Sequence, residues 1–193
     1  MPVGGRLALA MTSHAFTHRL ARTGDIPALK PLMAASIREL LKDFLPPDAV
    51  EASFEVMGLD TRLMDDGTYF IVECDGIIAG CGGWSRRNTL FGGDHAAIRD
   101  DALLDPKRDA ARVRAMYTSP AFVRRGVGRL VLSLCEQAAA QAGFSRAELA
   151  ATLAGVPLYR ACGYREIERI EAPTSKGIRV PLIRMGKMIS TTA

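Results

Sequence analysis

From Val127 the apolar positions Val127, Leu130, Val131, Leu134, Cys135 and Ala138 recur at intervals of three and four, the pattern of a helix with one buried stripe. Gly143 supplies the left-handed residue that commonly ends a helix, so the pattern predicts a helix over 126–142. Apolar-rich runs over 68–74 and 77–82 flank Asp75-Gly76, a dipeptide that favours a tight hairpin turn. Segments 16–23, 112–118, 147–152, 164–171 and 178–188 complete the expected strands. Asp25 stands where it can cap a helix that runs past Pro27 to about Phe44, and 157–161 reads as a short helix. Strands outnumber helices and the central helix connects two of them, so the fold class is α/β (α+β) with a mixed sheet.

Composition fits this picture. A chain of 193 residues that is 48% hydrophobic can bury a proper core, and its length favours one domain, expected over 14–193. Residues 1–13 are expected to form a disordered tail, because the apolar run Leu7-Ala8-Leu9-Ala10-Met11 is shorter than the roughly 7–15 residues of an export signal. No run approaches the roughly 18 apolar residues of a membrane span, which predicts a cytoplasmic protein without a membrane partner. The longest irregular stretch is 91–108, with Gly92-Gly93-Asp94 and Asp105-Pro106.

Charge and cysteines narrow the chemistry. The net charge of +4 comes from arginines spread along the chain, and aromatics make up only 6%, so no basic, aromatic stripe for nucleic acid is present. Cysteines 74, 81, 135 and 162 form no C-x-x-C pair and His14, His18 and His95 are scattered, so neither metal nor disulfide is expected.

The expected helix starts in a suggestive way. Its first amides lack intrahelical partners and carry about half a positive charge from the peptide dipoles. Gly126 and Gly128 remove side chains that would hold a ligand away, and Arg124, Arg125 and Arg129 add charge nearby, so a phosphate or diphosphate suits the site. A nucleoside-triphosphate loop is excluded because Arg129-Leu130 follows Gly128, and a dinucleotide fingerprint because Val131 replaces its third glycine.

Arg124-Arg125-Gly126-Val127-Gly128, preceded by Met116-Tyr117-Thr118-Ser119-Pro120 and followed by Leu158-Tyr159-Arg160-Ala161-Cys162-Gly163-Tyr164, resembles the GCN5-related N-acetyltransferase (GNAT) superfamily. The family's loop reads [QR]-x-x-G-x-[GA], and here Val123 occupies its first position. The resemblance covers about 16–189. It implies a mixed, mostly antiparallel twisted central sheet flanked by helices, an acyl-CoA N-acyltransferase fold, and acetyl-CoA as co-substrate without metal. It further implies that Met116, Tyr117 and Thr118 offer main-chain contacts to the pantetheine arm, and that Arg124, Arg125, Gly126, Val127, Gly128 and Arg129 surround the diphosphate. The partner would be an amine-bearing acceptor, and a homodimer is open.

Acetyl transfer wants an N–H donor at the thioester oxygen, a proton source for the departing sulfur and a sink for the amine proton. By the resemblance the donor lies near Met116 or Tyr117 and the acid is Tyr159, whose phenol, with a reference pKa of about 10, keeps its proton at neutral pH. The strand 112–118 contains no carboxylate; Glu73, Asp94, His95 and Glu148 are positional candidates for a base, beside a water chain, and none is chosen. The acceptor pocket is expected from 36–63 and 84–108, where Trp84 and Phe91 could line an apolar wall. The alternatives are an acyl-CoA sensor, an acyltransferase using a longer acyl group, and a nucleic-acid module using the same helix start.

Overall fold

The computed structural model describes residues 15–190 apart from 97 and 98; the tail expected over 1–13 lies outside them. The described elements are β1 (Thr17–Leu20), α1 (Ile26–Leu41), α2 (Pro47–Val56), α3 (Thr61–Asp65), β2 (Tyr69–Cys74), β3 (Ile77–Ser85), β4 (Ala111–Thr118), α4 (Val127–Gln141), β5 (Arg146–Thr152), α5 (Val156–Ala161), β6 (Arg165–Pro173) and β7 (Arg179–Met188). Their strands form one open sheet in the order β1-β2-β3-β4-β5-β7-β6. Every neighbouring pair is antiparallel except β4 and β5. Those two run parallel and pair only at Ala111↔Ala147 and Arg112↔Glu148. Past this base they part, leaving a fork in the middle of the sheet.

The hairpin between β2 and β3 turns on Asp75 (φ 52°) and Gly76 (φ 77°), the two positive φ values that a type I′ turn requires. β3 runs three residues beyond the expected Gly82, although glycine is a poor strand former. Packing explains the exception. A β-carbon at Gly80 would lie 2.5 Å from Val127 Cγ1, and one at Gly82 would lie 2.7 Å from Val131 Cγ1, so the missing side chains let α4 press against the sheet. This close approach also rotates the buried stripe of α4. Val127, Val131, Leu132, Cys135 and Ala139 are buried, whereas the expected Leu130, Leu134 and Ala138 are only partly so.

Three boundaries differ from expectation near the N-terminal side. β1 ends at Leu20, and a 3-10 turn over Thr23–Asp25 leads into α1. Asp25 does not cap α1: its carboxylate accepts the Arg22 N–H at 2.7 Å and the Arg19 guanidinium at 2.8 and 2.9 Å. Helix α1 stops at Leu41 rather than Phe44, and a second helix follows. There Pro46 is extended and Pro47 takes the first helical position, where its missing N–H costs nothing.

The sheet is covered on both faces. On one side α4 packs with Val72, Ala79, Val113, Leu149 and Met185; on the other, Leu29, Met33, Ile37 and Leu41 of α1 cover Ile71, Cys81 and Tyr117. Fully burying each such aliphatic side chain stabilises by about 1.5–3 kcal/mol. Trp84 belongs to the first of these layers, 5.9 Å edge-on from Phe144 and 3% exposed, so it is core rather than pocket wall. Cys74, Cys81 and Cys135 are buried thiols and Cys162 is half-buried. Among the described residues no helix is long and apolar enough to cross a membrane.

Candidate functional site

The segment between β4 and α4 folds into a turn with positive φ at Arg124 (62°) and Gly126 (90°) and not at Arg125. Such alternation converges successive N–H groups on one concavity, and the start of α4 adds its unpaired amides and dipole. The two glycines serve different ends. At Gly126 a β-carbon would meet nothing within 4 Å, so this is the open approach to the amides. At Gly128 it would lie 2.8 Å from Leu158 Cδ2, so this glycine admits α5 beside the helix start.

A cavity of about 770 Å³ runs from this turn into the fork. Met116, Tyr117, Thr118, Arg124, Gly126, Val127, Gly128, Arg129 and Tyr159 all line it. Arg125 is turned elsewhere: its guanidinium lies over the rings of Phe122 at 4.9 Å and Phe16 at 5.7 Å. The expected circle of three arginines is therefore two at the cavity and one clamped on aromatic rings.

Within the fork, β4 carries a bulge. Cys81 pairs with Tyr117 and Gly83 with Arg114, so Ala115 and Met116 together face Gly82. Ala115 adopts φ 50°, an uncommon conformation for a residue with a β-carbon. Since pairing with β5 ends at Arg112, Ala115 and Met116 have no register partner on either neighbouring strand. Gly82 gives the Met116 side chain its room, because a β-carbon there would lie 2.6 Å from Met116 Sδ.

Tyr159 sits on α5 across the fork. Its ring meets Tyr164 edge-on at 5.9 Å and fills the space left by Gly155, whose β-carbon would lie 2.9 Å from Tyr159 Cε2. Burial pushes its phenol well above the ordinary value, with Cys135 and Cys162 nearby as smaller contributors, so it stays protonated.

The four carboxylate and imidazole candidates for a base are occupied structurally. Glu73 pairs with Arg19 at 2.9 Å. Asp94 accepts from the Thr61 N–H and hydroxyl at 3.0 Å. His95 packs on Gly58 and contacts the Glu55 carbonyl at 3.1 Å. Glu148 is held by Arg112 at 2.5 Å and by Arg184 at 2.7 Å, at the base of the fork. None of the four lines the cavity.

Sequence reasoning missed a buried ion cluster that reaches the cavity through Arg114 of β4. Arg114 lines the cavity with its side chain 3% exposed; it reaches the fully buried Asp60 at 2.6 Å and donates to the Gly92 carbonyl at 2.6 Å. Arg99 shares Asp60 at 3.0 Å. Desolvation holds the Arg114 guanidinium below its ordinary value, Asp60 opposing it. At this end Phe44, Val56, Met57, Phe91 and Leu182 line the cavity together with the carboxylates of Glu39 and Asp43, so Phe91 takes the expected place that Trp84 does not. Among the described residues no group of His, Cys, Asp and Glu is arranged to hold a metal ion.

Comparison with known proteins bears on the family and the fold. The family model described as Acetyltransferase (GNAT) family matches residues 34–164. A GCN5-related N-acetyltransferase structure from Rhodopseudomonas palustris is similar over 94% of this chain and 99% of its own, at 18% identity and a TM-score of 0.67. PaiA N-acetyltransferase from Thermoplasma acidophilum, in complex with coenzyme A, matches 90% of this chain and 99% of its own at 11% identity and a TM-score of 0.61. The ribosomal-protein-S18-alanine N-acetyltransferase from Escherichia coli matches 93% and 97% at 19% identity and a TM-score of 0.56. No curated protein matches the chain at the sequence level. With a family model spanning well over half its length and solved structures of like fold, the chain belongs to the GNAT acetyltransferase family.

Proposed function

We propose that the protein transfers an acetyl group from acetyl-CoA to a primary amine of a small molecule or a protein, by direct attack of the amine on the thioester. The carrying observation is one continuous cavity that joins the open amides at Gly126 to the Tyr159 side chain through the gap between β4 and β5. A diphosphate fits the turn, because no side chain guards Gly126 and the helix dipole favours an anion there.

When bound, the thioester supplies the acyl group and a thiolate leaving group. Arg124 and Arg129 neutralise the diphosphate, while the main chain of Met116, Tyr117 and Thr118 aligns the extended arm much as a strand would. A main-chain N–H at the bulge, near Met116, donates to the thioester oxygen as charge develops on it. Tyr159 holds the proton for the departing sulfur. The four expected candidate bases being engaged elsewhere, the amine proton passes to water or to the carboxylates of Glu39 and Asp43 that line the cavity. A reducing compartment such as the cytoplasm suits the free thiols.

A thermal-shift series with coenzyme A, acetyl-CoA, ATP and NAD tests the proposal. At a hundredfold excess over Kd, binding adds about 2.7 kcal/mol, which raises Tm by roughly 5–10 °C in a chain of this size. Coenzyme A and acetyl-CoA should produce that shift, ATP and NAD should not, and Gly126→Asp should abolish it, read against that variant's own unliganded Tm, which the positive φ at this position lowers. An unchanged shift in Gly126→Asp would remove the diphosphate from this turn.

A further inference from the structure

The bulge that leaves Ala115 and Met116 without strand partners carries an internal strain and a support for it. Ala115 stands at φ 50°, where a β-carbon is unfavourable, so something must hold the backbone there. The support comes from two strands away. The Tyr69 hydroxyl, at the first residue of β2, lies 2.9 Å from the Ala115 carbonyl oxygen and 3.3 Å from Cys81 Sγ. A carbonyl only accepts, so the single phenolic proton goes to Ala115, and the Cys81 thiol is left to donate to the tyrosine oxygen.

The route of that side chain is built into the sheet. A β-carbon at Gly83 would lie 2.7 Å from Tyr69 Cδ2, so glycine at this position of β3 opens the passage for the ring towards β4. Tyr69 is 1% exposed and packs with Leu29, Ile37, Leu63 and Ile71, which fixes the ring. Its phenol is held far above the ordinary value, first by burial and then by Cys81, so it remains a donor throughout the working pH range.

We propose that Tyr69 is a positioning residue: by holding the Ala115 carbonyl it fixes the bulge and thereby the orientation of the Met116 N–H that donates to the thioester oxygen. The carbonyl of Ala115 and the N–H of Met116 belong to one planar peptide unit, so a hydrogen bond that anchors the oxygen on one side sets the direction of the N–H on the other. This rests on the acetyl-CoA reading above and adds to it a residue that touches neither cofactor nor acceptor. Preorganisation is the physical content, because a donor already aimed costs no reorganisation when charge develops.

The test compares the parent protein with Tyr69→Phe by isotope-edited infrared spectroscopy of bound acetyl-CoA labelled with ¹³C at the thioester carbonyl, with coenzyme A affinity measured alongside. In the parent the carbonyl stretch should lie below that of free acetyl-CoA. In Tyr69→Phe it should return towards the free position while coenzyme A binds as before. A Tyr69 that served stability alone would leave the stretch where it is. Should Tyr69→Phe fail to fold, Tyr69→Met, which keeps apolar bulk and likewise lacks the hydroxyl, should move the stretch in the same direction. An identical stretch in parent and variant, or a parent stretch equal to that of free acetyl-CoA despite binding, overturns the proposal while leaving the cofactor site intact. A parent that binds no coenzyme A overturns the acetyl-CoA reading itself.

Discussion

The ring of Tyr159 is packed against Tyr164 and Gly155, and its hydroxyl makes no hydrogen bond with any described group. A buried phenol normally finds a partner, so one left open beside a cleft is poised for a ligand atom. Tyr159→Phe keeps the packing and removes only the proton. Loss of a general acid costs about 10²–10⁴-fold in rate, so kcat should fall within that range while the coenzyme A thermal shift is unchanged. Steady-state kinetics with any accepted amine, set beside the thermal shift, checks both halves. The helix start at Gly126 and the short helix that carries Tyr159 were legible in the sequence, the first from its helical period and the second beside the tyrosine motif of the family resemblance. Gly128 looked equivalent to Gly126 there, and only the position of Leu158 separates their roles. Tyr69 was not legible, since a tyrosine opening the run Tyr69-Phe70-Ile71-Val72 reads as an ordinary strand aromatic. Its partner Ala115 lies 46 residues away in a bulge that no glycine or asparagine announces.

At the level of elements, the glycines of β3 decide how close α4 and β4 can come to the sheet. A β-carbon at Gly82 would lie 2.6 Å from Met116 Sδ and 2.7 Å from Val131 Cγ1, so Gly82→Val overfills the contact between helix and bulge. Overpacking of this kind costs about 1–3 kcal/mol, and urea unfolding should show a lower midpoint with an unchanged m-value. The elements of strong period were read correctly: the hairpin at Asp75-Gly76, the long helix ending before Gly143, and the closing pair β6 and β7. Helix α2 was missed although Pro46-Pro47-Asp48 is a legible start: the sequence reading ended the first helix at about Phe44 and gave 47–56 no element. Helix α3 is five residues long, too short for periodicity to reveal. The rotated stripe of α4 depends on where β3 lacks side chains, and a helix alone does not record which side of itself will be pressed closest.

Over the whole molecule, ion pairs fasten the outer segments to the sheet. Asp25 is held below the ordinary carboxylate range, first by the hydrogen bond from Arg19, and Asp66 likewise by Arg87. A carboxylate whose folded pKa is depressed adds stability that is complete above the unfolded value of about 3.9 and is lost as pH falls below it. Solvent reaches these pairs, so each contributes at most about 1 kcal/mol. Stability measured by urea titration should therefore decline on acidification below about pH 4, and Asp25→Asn with Asp66→Asn should flatten that decline. The overall architecture was legible because the loop, the tyrosine motif and the run of strands agree on one sheet. The buried cluster of Asp60, Arg99 and Arg114 was not, because its members lie on three separate segments and carry no spacing of their own.

The parallel seam between β4 and β5 is joined only at its foot, by Ala111↔Ala147 and Arg112↔Glu148, with the carboxylate of Glu148 gripped from both flanks. Mechanically this makes two stiff plates, β1 to β4 on one side and β5, β7 and β6 on the other, riveted at the foot and backed on one face by α4, which packs on both. Whatever bridges the open length of the seam ties the plates together, so rigidity gained inside the cleft is transmitted to the far rim of the sheet.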